Sequence, residues 1–306
     1  MLRISIPDDA PPVFAHSAAR ALLAGLAELD YHDKLPGSEE RLIERIGGAD
    51  AVLNIRASSR FTERVFAACP RLRLVSVWGT GTDHVDLGAA RARGVAVTNT
   101  PGVAARSVAE HALALLFAAA RRIPALDGST HRGEWARGQS IELHGKRCGI
   151  VGLGAIGREF ARLAAGIGMH VAGWTMHPRR VEGVEAIDLD DLYRTSDVVS
   201  LHLRLAPETA GFVGRRELGM MKPGAILINT ARGAIVDEAA LAEALAGGRL
   251  RAAGLDVFAE EPLPAGHPLT RLDNAILTPH CAGITPEALE AGLRMAVENI
   301  RAFFGA

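Results

Sequence analysis

A strand, a glycine turn and a helix run together at RCGIVGLGAIGREFARLAAGIG (147–168), and this stretch limits the possible folds more than any other. Apolar, β-rich residues lead into Gly152, Gly154 and Gly157, spaced G-x-G-x-x-G. The first glycine permits the tight turn, the second lets a pyrophosphate approach the backbone, and the third lets the helix pack on the strand. The helix opening at Ala155 and Ile156 offers free N–H groups and a positive dipole end to phosphates. With 33 glycines in 306 residues, the spacing alone has a fair chance of arising by coincidence. Its place between a strand and an amphipathic helix makes it a dinucleotide-binding turn.

The rest of the chain repeats the same alternation. RISI (3–6), AVLNIR (51–56), LRLVSVWG (72–79) and VAVTN (95–99) read as short strands. Helical patterns at 17–29, 38–46 and 61–69 separate them. A long helix is expected at 103–123, after the break at Pro101 and Gly102. From Lys146 six more strands follow: RCGIVGLG, HVAGWT, 197–203, 225–231, 251–258 and 274–280. The last helical pattern, 285–304, has no strand after it and is expected to return to the first domain. The fold class is therefore α/β, with two doubly wound parallel-sheet domains. One is a Rossmann dinucleotide-binding domain over 100–284. The other is a discontinuous, flavodoxin-like substrate domain built from 1–99 and 285–306.

Composition removes other classes. Hydrophobic residues make up 48% and charged residues 23%, with a net charge of −1, so no global field attracts nucleic acid or anionic lipid. The apolar run HALALLFAAA (111–120) is too short to span a bilayer. Cys69, Cys148 and Cys281 show no ligand spacing, and neither do His16, His84, His111, His202 and His267, so no metal is expected. An odd cysteine count and no evident leader point to the cytoplasm.

In a doubly wound sheet, ligands lie beyond the C-terminal strand ends. There the later strands carry Thr230 and Arg232, then Asp256 with Glu261 shortly after, then His280 and Gly283. His202 ends the strand DVVSLH. Singly, each reads as a loop charge or a satisfied histidine. Together, at the edge that holds the glycine turn, a cation, carboxylates and an imidazole read as a site.

These stretches are also where the chain resembles the D-isomer-specific 2-hydroxyacid dehydrogenases. VAEHALALL, VGLGAIGRE, MMKPGAILINTARGAIVDEAALAEAL, AAGLDVFAEEPLP and LTPHCAGIT are similar to the signature segments of that family in the same order, and GTGTDHVDL (79–87) to its first-domain loop. The resemblance covers nearly the whole chain. It implies hydride transfer between a nicotinamide cofactor and a small 2-hydroxy or 2-keto acid, as in glyoxylate and hydroxypyruvate reductases, phosphoglycerate dehydrogenases and D-lactate dehydrogenases. It places the catalytic Arg, Glu and His on Arg232, Glu261 and His280. It makes Asp256 the contact to the nicotinamide carboxamide. His280 then moves the proton, Glu261 fixes its tautomer, and Arg232 holds the carboxylate. Arg232 and His280 also border the cofactor.

Thr80 and Gly81 lie in a turn whose N–H groups can cup a substrate carboxylate, and Arg56 ends a strand facing the expected cleft, where it reads nearly as well as a surface charge. The resemblance implies a dimerisation arm around Trp135. The helix 103–123 is apolar on too many faces for one domain to cover, so a symmetric homodimer is expected. Two other readings share the fold: a dinucleotide-sensing corepressor and a phosphite dehydrogenase. Formate dehydrogenase relatives carry Gln where this chain has Glu261.

One position departs from the NAD pattern. The strand HVAGWT ends without the Asp or Glu that grips the ribose of NAD; Thr175 stands there, followed by His177, Arg179 and Arg180. Thr175 can bond a ribose hydroxyl but cannot repel a 2′-phosphate. The expected cofactor is therefore NAD(P), with NADPH preferred.

Overall fold

The computed structural model describes residues 1–177 and 180–305. The chain divides into two compact units, Met1–Ala104 with Ile284–Ala306, and Ala105–Gly283.

Unit 1 opens with β1 (Leu2–Ile6), β2 (Ala27–Tyr31), α1 (Glu39–Ile46), β3 (Ala51–Asn54), α2 (Glu63–Ala68), β4 (Leu74–Val77), α3 (Leu87–Ala92) and β5 (Ala96–Thr98). All pairings are parallel, in the order β2-β1-β3-β4-β5. Side chains alternate across β3. Ala51 and Leu53 join the cluster of Ile4, Ile6 and Leu74, while Val52 joins Leu42, Ile46, Val65 and Phe66 on the other face. The helix expected at 17–29 is absent. Short 3₁₀ turns at Phe14–His16 and Ala18–Leu23 replace its first half. Gly25, at φ +76°, breaks the turn, and the following residues pair with β1 as the edge strand β2.

Unit 2 begins with α4 (Ala105–Arg121) and α5 (Ile123–His131). The long helix expected at 103–123 is α4, which ends where Arg122 adopts a left-handed conformation; α5 follows at once, with Pro124 in its first turn. The strands and helices that follow are β6 (Arg147–Val151), α6 (Ala155–Gly166), β7 (His170–Trp174), β8 (Glu185–Ala186), α7 (Leu189–Thr195), β9 (Val198–Leu201), α8 (Arg215–Met220), β10 (Ala225–Asn229), α9 (Glu238–Ala246), β11 (Leu250–Leu255) and β12 (Ala275–Leu277). Their order is β12-β11-β10-β9-β6-β7-β8, all parallel, so every C-terminal strand end lies on one edge.

Helix α4 corrects a second expectation. Ala109, Ala112, Leu116 and Ala120 are buried with Phe160 and Ala164 of α6 and with Ile226, Ile228 and Ala252 of the sheet. Its own unit covers most of its apolar surface. The large apolar residues left exposed nearby are Ile123 and Trp135, at 52% and 79%.

The last helix, α10 (Pro286–Phe304), belongs to unit 1, where Leu293, Val297 and Ile300 close the cluster around Ile4 and Leu53. Thr285 caps it by accepting from the Ala288 N–H. Among the described residues, no helix is long and apolar enough to cross a membrane.

Candidate active site

The glycine turn lies between β6 and β9, where the strand order of unit 2 reverses. Two of its glycines are required by the protein itself. Gly152 has φ +100°, and a Cβ there would lie 2.7 Å from the His202 carbonyl oxygen. A Cβ on Gly157 would lie 2.0 Å from the Gly152 oxygen. Gly154, the N-cap of α6, has no such neighbour: its Cβ would meet no protein atom within 4 Å. Ala155 is exposed beside it and Ile156 half-buried. Gly154 thus fronts open space at a helix N-terminus, which suits an approaching phosphate.

Two buried polar atoms on the same edge have no hydrogen-bond partner, Thr230 Oγ1 and His202 Nδ1. Such groups are costly unless a ligand or water satisfies them. Burial pushes His202 down to about 3, so its ring is neutral, with Nε2 2.9 Å from Ser200 Oγ. An open cradle and orphaned polar atoms at a sheet switch point fit a dinucleotide. Beyond β7, Thr175 is half-buried, and His177 and Arg180 are exposed. Arg179 lies outside the described residues.

The loops after β10 and β11 bring the ionisable groups together. Gly233 makes this possible, because a Cβ there would lie 1.9 Å from the Phe258 carbonyl carbon. Arg232, just before it, is half-buried, and its Nη1 donates to the Ala231 carbonyl at 2.8 Å. Asn229 shapes this corner, donating to the Arg232 carbonyl and accepting from the Ala231 N–H. Glu261 Oε1 accepts from the Phe258 N–H at 2.9 Å, and Oε2 lies 2.7 Å from His280 Nδ1. Burial pushes the Glu261 carboxyl up. The bonds from His280 and Phe258, with the nearby charges of His280 and Arg232, outweigh that and hold it below the usual carboxylate range. An ionised Glu261 accepts only, so His280 donates from Nδ1 and keeps Nε2 for another partner.

His280 has φ +51°, a left-handed conformation that is strained for a residue with a Cβ. Its N–H is held by the Asp256 and Thr278 carbonyls at 2.8 and 3.0 Å. The Asp256 carboxylate is buried and accepts from Thr278 Oγ1, the Cys281 N–H and the Ala282 N–H. It thereby braces the loop that presents His280 and runs on to the half-buried Gly283. His111, Asp256 and Cys281 place N, O and S atoms within 4.8 Å of one another. Those donors already occupy the carboxylate, and burial and Asp256 push the Cys281 thiol up, so the cluster is ordered as a hydrogen-bond network.

In unit 1, Arg56 follows β3. Its Nη2 donates to the Pro11 carbonyl at 2.7 Å, while its Nε is buried without a partner. Burial pushes the guanidinium down, and Asp9 and Asp8 oppose it. Thr80 is exposed, Gly81 is half-buried, and the Thr80 carbonyl accepts from Asn99 Nδ2 at 2.7 Å. Sequence reasoning missed three residues here: Asp8, Asn54 and His84 form a buried hydrogen-bonded chain. Asp8 and Asn54 carry one local signal, a polar residue at or just past the end of an apolar strand, and His84, in the loop after β4, carries none.

Known proteins share this architecture and these motifs. Residues 113–282 match the model for the D-isomer specific 2-hydroxyacid dehydrogenase, NAD binding domain. A glyoxylate reductase of Korarchaeum cryptofilum is 39% identical over 91% of this chain and 89% of its own length. A D-3-phosphoglycerate dehydrogenase of Mycobacterium bovis is 44% identical over 86% of this chain and 50% of its own length. The chain thus spans about half the length of the curated phosphoglycerate dehydrogenase it matches. Among solved structures, the TT0316 protein of Thermus thermophilus superimposes with a TM-score of 0.92 at 37% identity, covering 99% of this chain and 97% of that one.

Proposed function

The chain belongs to the D-isomer-specific 2-hydroxyacid dehydrogenase family, and from that membership we propose that it interconverts small 2-keto acids and D-2-hydroxy acids with NAD(P). The observation that carries the reading is the His280–Glu261 pair, 2.7 Å apart, beside Arg232 on the strand edge that holds the glycine turn.

Gly152, Gly154, Ala155, Ile156 and Gly157 hold the pyrophosphate, with Thr175 toward the ribose and Thr230, His202 and Gly283 along the edge. A bound reduced nicotinamide supplies the hydride. Arg232 grips the substrate carboxylate and polarises the keto oxygen with its planar fork of donors. As negative charge grows on that oxygen, His280 delivers a proton from Nε2. Glu261 holds the ring through Nδ1, so the proton leaves from one nitrogen only, and it stabilises the charged ring before transfer. Asp256 acts through the loop it braces. Arg56, Thr80 and Gly81 of unit 1 are assigned to substrate anchoring, and the buried Nε of Arg56, without a partner, is a donor suited to a carboxylate or phosphate.

The test is a panel of glyoxylate, hydroxypyruvate, 3-phosphohydroxypyruvate and pyruvate with NADH and NADPH. Turnover of at least one is expected; a chain that binds NAD(P)H and reduces none refutes the reading. The missing strand-end acid and the cations that follow Thr175 support a preference for NADPH. Changing Arg179→Ala and Arg180→Ala together should erase it, and an NADH preference untouched by that change refutes it. We further propose a cytoplasmic homodimer joined through the arm that exposes Trp135.

A further inference from the structure

We infer that Asp8 is a positioning residue for substrate, setting the geometry of both anchor loops of unit 1 through a buried chain that runs Asp8–Asn54–His84. The inference rests on the reading that Arg56, Thr80 and Gly81 hold the substrate.

Asp8 lies two residues past β1 and is fully buried. It accepts from Asn54 Nδ2 at 2.6 Å and from the Ile55 N–H at 2.9 Å. Burial pushes its carboxyl above the ordinary range despite these bonds. A buried carboxylate is an expensive way to close a strand end when an apolar residue would pack as well. What it does here is orient Asn54. Both Asp8 oxygens accept, Oδ2 from Asn54 and Oδ1 from Ile55, so the Asn54 amide must turn Nδ2 toward Asp8 and Oδ1 away. Nδ2 then also donates to the Arg56 carbonyl at 3.0 Å, and Oδ1 sits 2.7 Å from His84 Nε2. An Nε2–H on His84 satisfies this arrangement.

The chain therefore ties two loops to one carboxyl group. The loop after β3 is held at Ile55 and Arg56. The loop after β4, which carries Thr80 and Gly81, is held at His84. The two are stitched again where the Phe61 N–H donates to the His84 carbonyl at 2.9 Å and the Asp86 N–H to the Phe61 carbonyl at 2.8 Å. Asp9, although adjacent and buried, acts on Arg56 only as a nearby charge, and its hydrogen bonds go elsewhere, to the N–H groups of Val13, Phe14 and Ala15 and the Tyr31 hydroxyl. Asp8 is thus the carboxyl group hydrogen-bonded to the anchor loops.

The experiment is steady-state kinetics on the full chain, with the best keto acid of the panel, for Asp8→Asn, His84→Leu, His84→Gln and Arg56→Ala. In Asp8→Asn an amide NH₂ confronts the Asn54 or Ile55 donor, and in His84→Leu the second link is lost. Both should raise the keto-acid KM about tenfold while kcat and the cofactor KM stay within about threefold, the pattern of lost positioning. Gln places an N–H donor the same number of bonds from Cα as His Nε2, so His84→Gln should recover most of the affinity. A role in stability alone would lower the melting temperature of these variants without this KM split. Wild-type keto-acid KM in Asp8→Asn and His84→Leu, with a raised KM in Arg56→Ala, overturns the role of Asp8 and leaves the anchor reading standing. An unchanged KM in Arg56→Ala overturns the anchor reading and this inference with it. If Asp8→Asn does not unfold cooperatively, the contrast between His84→Leu and His84→Gln decides, and equal KM values for the two refute the chain.

Discussion

Replacing Gly233 by alanine tests whether the proposed catalytic groups depend on one backbone approach. The new methyl would lie 1.9 Å from the Phe258 carbonyl carbon and 2.3 Å from both the Phe258 oxygen and the Ala259 nitrogen. Carbon atoms rest about 3.5 Å apart at closest comfort, so one loop must retreat by about 1.6 Å. All three atoms are backbone, and no side-chain rotation relieves the clash. One loop carries Arg232 and the other leads to Glu261, so the retreat separates them. A displacement near 1 Å can cost about 10²-fold in rate, and overpacking costs roughly 1–3 kcal/mol. For a domain of this size that is a fall in melting temperature of about 3–10 °C. The assay is kcat/KM with the best keto acid, alongside calorimetry. Gly154→Ala is the control, because its methyl meets no protein atom. It should melt like the parent yet raise the cofactor KM about tenfold or more. Gly233→Ala with kcat/KM within threefold of the parent and an unchanged melting temperature would refute the reasoning.

His280→Ala and Arg232→Ala should each lower kcat/KM by roughly 10²-fold or more, as expected for a proton donor and a charge clamp; near-normal turnover in a folded His280→Ala removes it from the mechanism. Asp197 anchors the start of β6 by accepting from the Arg147 N–H at 2.9 Å and pairing with Lys222 at 2.5 Å. Burial pushes its carboxyl up, but Lys222 and the Arg147 N–H outweigh that and hold it below its ordinary value. A depressed folded-state pKa stabilises above the unfolded value and stops doing so as pH falls through the folded one. Asp197→Asn should therefore cost about 1–3 kcal/mol at pH 7, with the gap to the parent closing in melts taken below about pH 4. Sedimentation at micromolar concentration should show a dimer, and Trp135→Glu should shift it toward monomer; a monomeric parent ends the proposed assembly.

The dinucleotide turn was legible in the sequence because its cause is local. Gly152 and Gly157 are demanded by contacts within one strand–turn–helix unit and the strand beside it, and the strands of both sheets announce themselves by short apolar runs between helical periods. That Arg232, Glu261 and His280 gather on one edge was legible for a related reason: each follows a strand, and parallel strands put their ends on one edge. Only the tertiary structure decided how those ends meet. Gly233 admits the Phe258 backbone from 25 positions away, and His280 takes its left-handed turn because Asp256 and Thr278 hold its N–H. Likewise β2 replaces an apparent helix once β1 offers it an edge, and α4 buries faces that looked too apolar because α6 and the sheet cover them. The Asp8–Asn54–His84 chain joins residues 46 and 30 positions apart. Propensity and periodicity act over a few residues, whereas the choice of a hydrogen-bond partner between distant loops is made only when the order of strands in the sheet brings those loops side by side.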